Sequence, residues 1–188
     1  MMRQLVVRNR SFRRFEQGTT ISKQTLRELV ELARLSPSAA NLQNLRFWLI
    51  DSPNSEVFKC LKWANYLKQW DGPLEGERPA AYIIVLTPIN CSKYSYIDTG
   101  IACQSIMLGA TEIGLGGCMI AAVDREKLHQ VQGIPNDYEI ALVLALGVPA
   151  EEVVIDDLSP GDNIEYWRDE RDRHHVPKRI LDTLILNR

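Results

Sequence analysis

Residues 22–35 repeat apolar side chains at the spacing of one face of an α-helix. Ser22 is a typical N-cap residue, and Pro37 prevents the helix from continuing far beyond Leu35. The apolar positions are Leu26, Leu29, Val30 and Ala33. The pattern predicts an amphipathic helix that ends at a short polar turn.

Two continuous β-branched runs predict strands that are covered on both faces. The first is residues 82–86, and the second is residues 140–146, which Gly147-Val148-Pro149 closes. A shorter apolar run at residues 47–50 ends in the turn sequence Asp51-Ser52-Pro53-Asn54. We expect the two longer runs to be central strands, with the polar turn before residue 47 at a sheet edge.

Two longer helices are predicted between these strands. Residues 57–70 place apolar side chains on one side and end at Asp71-Gly72-Pro73. A second helix begins at Asp98 as its cap, is apolar almost all round, and stops at Gly114. Such a helix is expected to be buried by the sheet, and its apolar surface is also suited to a second subunit.

Two shorter helices complete the predicted elements. Asp124 caps one that runs to Val131 before Gly133, and the other occupies residues 179–186. The chain has no internal repeat and no linker long enough to divide it. We therefore predict one domain over residues 1–188 with an α+β fold, in which helices pack on a mixed central sheet.

The composition is that of a globular protein without a general affinity for nucleic acids. Of 188 residues, 45% are hydrophobic and 24% are charged, and the formal net charge is −2. A phosphate backbone requires a surplus of Lys and Arg on one face, so any anion site in this chain must be local. Charge interrupts the first residues too early for a secretory signal, and no apolar run approaches the roughly 20 residues that span a bilayer. We predict a soluble, cytoplasmic protein with no membrane partner.

The cysteines and histidines predict no metal site. The four cysteines are widely spaced without a Cys-x-x-Cys pair, which predicts reduced and mostly buried thiols. His174 and His175 are adjacent and therefore point different ways on a helix or strand, so we interpret them as surface residues. No Ser-His-Asp set stands out either, so the chemistry is expected to come from an organic cofactor.

Three short segments carry the candidate chemistry. Residues 9–15, Asn-Arg-Ser-Phe-Arg-Arg-Phe, hold guanidinium groups that suit a phosphate, although a surface charge run has the same composition. Residues 36–43, Ser-Pro-Ser-Ala-Ala-Asn-Leu-Gln, form a small polar turn that either lines a ligand or bonds its own backbone. Residues 114–122, Gly-Leu-Gly-Gly-Cys-Met-Ile-Ala-Ala, begin with glycines that allow the backbone to approach a flat ring or only end a helix. They follow a helix and not a strand, which excludes a dinucleotide fingerprint.

The order and spacing of these segments resemble those of the nitroreductase family of flavoproteins. The resemblance extends from about Arg8 to Leu184, and its matching residues lie in all three segments and near residue 178. It implies a nitroreductase-like fold that binds FMN and forms an intertwined homodimer, with the site lying across the two subunits.

The resemblance also implies which residues contact FMN. The basic segment and a C-terminal Lys or Arg hold the phosphate, and the polar turn lines the flavin, commonly from the partner subunit. The end of the glycine-rich turn lies beside flavin N5 and donates a backbone N–H. The implied cofactor-binding residues are Arg10, Ser11, Arg13, Pro37, Ser38, Asn41, Gln43, Met119, Ile120, Ala121, Ala122, Lys178 and Arg179.

The activity implied by the resemblance is that of an oxidoreductase. Hydride passes from NADH or NADPH through flavin N5 to a nitroaromatic, quinone or similar small acceptor in a ping-pong cycle. Asn9, Asn44 and Ala121 depart from the residues common in the family. Two alternatives therefore stay open, namely specialised chemistry such as dehalogenation, enoyl reduction or flavin breakdown, and a flavin-binding or redox-sensing module without turnover.

Overall fold

Seven β-strands in two sheets alternate with five α-helices in residues 1–187, the part of the chain that the computed structural model describes. No helix in this part of the chain is long and apolar enough to cross a membrane. In chain order the elements are α1 (Met2–Arg8), α2 (Lys23–Leu35), β1 (Arg46–Ile50), α3 (Ser55–Phe58), β2 (Ala81–Pro88), α4 (Ser95–Glu112), β3 (Gly116–Ile120), α5 (Arg125–Gln132), β4 (Tyr138–Gly147), β5 (Val153–Leu158), β6 (Trp167–Arg168) and β7 (His174–Arg179), with short 3₁₀ helices at Ala39–Asn41 and Leu181–Thr183.

The central sheet has the strand order β1-β2-β4-β3, and each neighbouring pair is antiparallel. The three predicted strands are confirmed, and β2 and β4 are central as expected. The prediction of a mixed central sheet is wrong. β2 and β3, which α4 connects, run parallel to each other, but β4 inserts between them and pairs with both in the opposite direction.

Both faces of the central sheet are covered by helices, which explains the continuous apolar sequence of β2. Ile83 and Val85 face α2 and α4, whereas Tyr82, Ile84 and Leu86 face α3 and α5. Successive side chains of a strand point to opposite faces, so a strand buried on both sides must be apolar at every position. β2 is buried along almost its whole length.

The helix predicted at residues 57–70 is wrong, because α3 ends at Phe58. Beyond α3 the main chain pairs with the segment that follows β3: Leu61 forms an antiparallel bridge with Val123, and the Lys62 N–H donates to the Ala122 carbonyl at 2.9 Å. These long-range bonds replace the bonds that would continue the helix, despite the helical spacing of the apolar residues.

The cap predicted for α4 is also wrong, because the helix begins at Ser95 and Asp98 lies inside its first turn. The Asp98 side chain is buried and accepts a hydrogen bond from the Ala39 N–H at 2.9 Å, which ties the polar turn to α4. The predicted end of α4 is confirmed, since the helix stops at Glu112 and Gly114 has a φ of +83°. The caps and lengths predicted for α2 and α5 are confirmed.

The C-terminal region forms a second sheet, β5-β7-β6, that the sequence patterns did not predict. The helix predicted at residues 179–186 is wrong. β7 pairs in parallel with β5, and Lys178 and Arg179 lie on this strand and not at the start of a helix. The surface position predicted for the two histidines is wrong as well, because His174 is fully buried and His175 bonds Asp156 at 2.9 Å. The predicted burial of the cysteines is confirmed at Cys60, Cys103 and Cys118.

Gly117 on β3 and Gly100 on α4 differ in how closely other atoms pack around them. A Cβ at Gly117 would lie 2.4 Å from the Ala145 carbonyl oxygen of β4, which is backbone and cannot turn aside. Gly100 lies on the exposed side of α4, where a Cβ would meet nothing within 4 Å. The first glycine is therefore required by packing and the second is not.

We expect Gly117→Ala to lower the free energy of unfolding by about 2–3 kcal/mol, because β3 must move away from β4. Gly100→Ala is the matched control and should raise it by about 0.5–1 kcal/mol, because alanine favours helix and restricts the unfolded chain. Urea unfolding followed by circular dichroism measures both. Equal effects of the two substitutions would contradict the assigned role of Gly117.

Candidate functional site

The basic segment at residues 9–15 runs along the open edge of β3. Ser11 forms a parallel bridge with Gly117, and the Phe12 N–H donates to the Gly117 carbonyl at 3.0 Å. A Cβ at Gly116 would lie 2.5 Å from the Phe12 ring. The two glycines therefore allow the basic segment and β4 to approach β3 closely. The expected approach of this backbone to a flat ring stays a prediction.

A buried carboxylate fixes the backbone of the basic segment. Glu151, whose side chain is 2% exposed, accepts hydrogen bonds from the main-chain N–H groups of Arg13 and Arg14 and, at 2.7 Å, from Arg168 Nη2. Arg14 itself pairs with Asp172 and is held against the second sheet. Because Glu151 bonds the backbone of Arg13, it does not neutralise the guanidinium of that residue.

A cavity of about 580 Å³, here termed the basic cavity, lies between the basic segment, α4, β3 and β7. Its lining residues are Val6, Asn9, Arg10, Ser11, Arg13, Gln104, Met107, Gly117, Met119, Tyr166, His174, Val176 and Lys178. Five of the predicted site residues thus meet in one place, although they come from three distant parts of the sequence. They are Arg10, Ser11, Arg13, Met119 and Lys178.

The basic cavity carries uncompensated positive charge. In residues 1–187, no carboxylate oxygen lies within 4.0 Å of the side-chain nitrogens of Arg10, Arg13 or Lys178, and no acidic residue is among the lining residues. Arg10 Nη2 donates to the Val6 carbonyl at 2.7 Å, but its Nε is buried without a hydrogen-bond partner in the described chain. Burial lowers the pKa of Arg10, which means that its charge is desolvated and favours a nearby anion.

Successive side chains of β7 point to opposite faces, which distinguishes Lys178 from Arg179, the two C-terminal candidates for holding a phosphate. His174, Val176 and Lys178 of β7 lie on one face and line the basic cavity. Arg179 is the next residue on the strand and is not part of the lining. The geometry therefore favours Lys178 over Arg179 as a ligand of an anion in this cavity.

Side chains also alternate along β3, so the predicted residues at its end lie on different faces of the sheet. Gly117 and Met119 line the cavity, whereas Ile120 belongs to the core on the α3 and α5 side of the sheet. Ala121 and Ala122 are exposed, and their carbonyls accept from Arg125 Nη2 at 3.1 Å and from the Lys62 N–H at 2.9 Å. These three residues are not in the lining of the basic cavity.

The polar turn lies apart from the basic cavity. Pro37, Ser38 and Gln43 line a different cavity of about 480 Å³ between α2, α4 and β1, and Asn41 is exposed. Ala40, Asn41 and Gln43 have φ values of 50°, 54° and 51°, so three residues with side chains adopt the left-handed conformation within four positions. Such backbone strain is concentrated at functional segments.

Two aromatic lining residues, Tyr166 and His174, were not among the site residues predicted from the sequence. The Arg13 guanidinium lies 4.6 Å from the centre of the Tyr166 ring, and that ring lies 5.2 Å from the His174 ring. Once a strand is considered at residues 174–179, the sequence His-x-Val-x-Lys places His174 beside Lys178. No comparable signal in the sequence identifies Tyr166, because β6 contains only Trp167 and Arg168.

The sequence matches a known protein family over most of its length. Residues 6–148 match the nitroreductase family. The oxygen-insensitive NADPH nitroreductase of Helicobacter acinonychis (strain Sheeba) is 26% identical over 201 residues, which cover 88% of this chain and 95% of that protein. Relatives named as NAD(P)H nitroreductases agree with the predicted oxidoreductase.

Two solved structures share the fold. The nitroreductase family protein of Streptococcus pneumoniae TIGR4 superposes with a TM-score of 0.71 and 17% identity, covering 100% of both chains. A protein of Exiguobacterium sibiricum 255-15, solved in complex with FMN, gives a TM-score of 0.64 at 20% identity and covers 80% of this chain and 89% of its own. The nitroreductase-like α+β fold is confirmed, and since the family match includes both the basic segment and β3, the chain belongs to the nitroreductase family of oxidoreductases.

Proposed function

We propose that this oxidoreductase binds FMN in the basic cavity and uses it to pass electrons from NADH or NADPH to a nitroaromatic, quinone or similar small acceptor. The observation that carries the proposal is the convergence of Arg10, Arg13 and Lys178 on one cavity that no acidic residue lines. We further propose that residues 1–188 act as one FMN-binding domain.

The cationic residues fit a phosphate group. Arg10 is half-buried, so its guanidinium has lost part of its hydration, which a doubly charged oxyanion would replace with charge-assisted hydrogen bonds. Arg10 and Arg13 offer planar guanidinium groups, Lys178 offers an ammonium, and Ser11 adds a hydroxyl at the same cavity. The unpartnered Nε of Arg10 supports the fit, because it is a buried donor that the described chain does not satisfy.

The remaining walls fit a flat, largely apolar ring. Met107, Met119, Val176 and Tyr166 supply apolar surface beside the cationic residues. A volume of about 580 Å³ lies within the range of about 300–1,000 Å³ that is typical of small-molecule and cofactor sites.

Bound FMN would supply hydride and electron transfer in a ping-pong cycle, in which nicotinamide and acceptor use the same face in turn. The protein would supply position and charge. The Gly117 carbonyl points away from β4 toward Phe12, and the pairing pattern of antiparallel strands directs the N–H of Met119 to the same open edge. We propose that this N–H donates to the cofactor, while Arg13 and Lys178 stabilise negative charge in the cavity.

We propose that the active form is an intertwined homodimer. Ile97, Ile101 and Gln104 lie on one face of α4; the two isoleucines are 59% and 37% exposed, and Gln104 lines the basic cavity. A subunit covering the exposed apolar part of this face would therefore border the cavity. The strained polar turn is exposed and does not line the basic cavity of its own chain. We propose that this turn enters the basic cavity of the partner.

The first experiment tests cofactor and activity together. Purified protein is mixed with FMN, the excess is removed, and visible absorption is recorded under anaerobic conditions before and after adding NADH and then NADPH. We expect retained flavin absorbance that bleaches with a reduced nicotinamide and returns when a quinone or nitroaromatic is added. Protein without flavin absorbance would contradict the proposal, whereas retained flavin that no nicotinamide reduces would favour a binding or sensing module.

We expect Lys178→Ala to raise the dissociation constant of FMN about tenfold, because one charge-assisted contact with the phosphate is lost. Arg179→Ala is the matched control, since it removes a neighbouring positive charge outside the cavity, and it should change the dissociation constant by less than about twofold. Quenching of FMN fluorescence measures both variants. The assignment of Lys178 fails if Arg179→Ala has the larger effect.

Disrupting the exposed face of α4 should release monomers that bind FMN poorly. We expect Ile101→Asp to convert a dimer into monomers of 21.4 kDa and to lower flavin occupancy severalfold, because it places a charge in an apolar interface. Ile155→Asp is the control, since Ile155 is 38% exposed and lies on β5 in the second sheet. Light scattering and the ratio of flavin to protein absorbance measure the result, and a monomer with full flavin occupancy would disprove the shared site.

A further inference from the structure

His174 occupies a buried position at the wall of the basic cavity. It is the first residue of β7, its exposed fraction is 0%, and it lines the same cavity as Arg10, Arg13 and Lys178. A histidine in this position is close enough to a bound anion to respond to its charge.

The contact with Arg13 defines the protonation state of His174. Its Nε2 lies 3.1 Å from Arg13 Nη1, and since a guanidinium nitrogen only donates, Nε2 must accept. The ring is therefore neutral and carries its proton on Nδ1, which is buried and has no partner among residues 1–187. A second proton on Nε2 would place two donors against each other.

The charged groups around His174 are mostly positive. Arg13 faces it from the basic segment, Arg168 from β6 and His175 from its own strand, and burial together with these charges lowers the pKa of His174 to about 4. Glu151 is bonded to Arg168 and to the backbone of Arg13 and Arg14, and Glu152 contacts His174 through its carbonyl, which accepts the His174 main-chain N–H at 2.9 Å. The Tyr166 ring covers another side of the imidazole.

We infer that a doubly charged oxyanion bound in the basic cavity draws a proton onto His174 and is then held by it. The inference rests on the proposed phosphate site. An anion bonded by Arg13 would cancel much of the positive field and would accept the Arg13 N–H groups, which frees His174 Nε2 to take up a proton and donate to the anion.

The direction of the pH dependence follows from linkage. If the anion raises the proton affinity of His174, the proton raises the affinity for the anion by the same factor. Anion binding must then tighten as the pH falls from the pKa of His174 in the complex toward its pKa in the free protein. The phosphate of FMN itself titrates near about pH 6, so sulfate, which stays doubly charged, is the cleaner probe.

The direct test follows the imidazole signals of the wild-type protein by nuclear magnetic resonance, with and without sodium sulfate. The chain has three histidines, and His129 on α5 lies outside the basic cavity and serves as an internal reference. We expect saturating sulfate to raise the pKa of His174 from about 4 to about 6, while the signals of His129 show no dependence on sulfate. An unchanged pKa of His174, or no binding of sulfate, would overturn the inference.

Two variants provide the second test. Sulfate should bind wild-type protein and the control His129→Gln about tenfold more tightly at pH 5.0 than at pH 7.5. His174→Gln keeps an acceptor for Arg13 but cannot take up a proton, so its affinity should be nearly independent of pH. Retention of FMN at pH 7.5 is measured on the same samples. If FMN is retained but His174→Gln follows the wild-type pH dependence, the role of His174 is wrong and the proposed FMN site stands.

Discussion

The hydrogen bond from the Phe12 N–H to the Gly117 carbonyl joins the basic segment to β3, and the wall of the basic cavity that these two elements form depends on it. β3 is an edge strand, and its free edge would otherwise expose main-chain groups to solvent or to another chain. The basic segment covers this edge, and in doing so it brings Arg10 and Arg13 beside Met119. Side chains at residues 116 and 117 would push the segment or β4 away, so the two glycines control both sheet packing and the formation of the cavity.

The arginines around this edge have two distinct roles. Arg14 and Arg168 both pair with Asp172, and Arg168 also pairs with Glu151, so their charges are neutralised within the chain. Arg10 and Arg13 have no such partners in the described residues. Glu151 makes this separation possible, because its bonds to main-chain N–H groups fix the segment without neutralising Arg13. A chain with a net charge of −2 thereby contains a locally cationic cavity.

Local patterns in the sequence correctly predicted the capped helices α2 and α5 and the buried strands β2 and β4. Ser22 and Asp124 cap helices as expected, and the continuous runs in β2 and β4 are buried on both faces. Residues 57–70 failed as a helix because Leu61 and Lys62 pair with the distant segment at Ala122 and Val123. Residues 179–186 failed because β7, which pairs with β5, extends to Arg179, and beyond it the chain forms only a 3₁₀ helix at Leu181–Thr183. Long-range pairing overrides helical spacing and leaves no mark in a short window of sequence. Arg10, Arg13 and Lys178, which the sequence indicated, line the basic cavity, but the burial of His174 depends on β7, which no local pattern predicted.

The basic cavity takes its cations from near both ends of the chain, with Arg10 ahead of the central sheet and Lys178 on a strand that pairs beside β5. During synthesis, the central sheet has all four of its strands once residue 147 has emerged from the ribosome, whereas β7 has yet to emerge. Closure of such distant contacts is slow and follows the formation of local structure. The central sheet of the nascent protein can therefore assemble before β7 emerges, so Lys178 joins Arg10 and Arg13 at the basic cavity only after the core has formed.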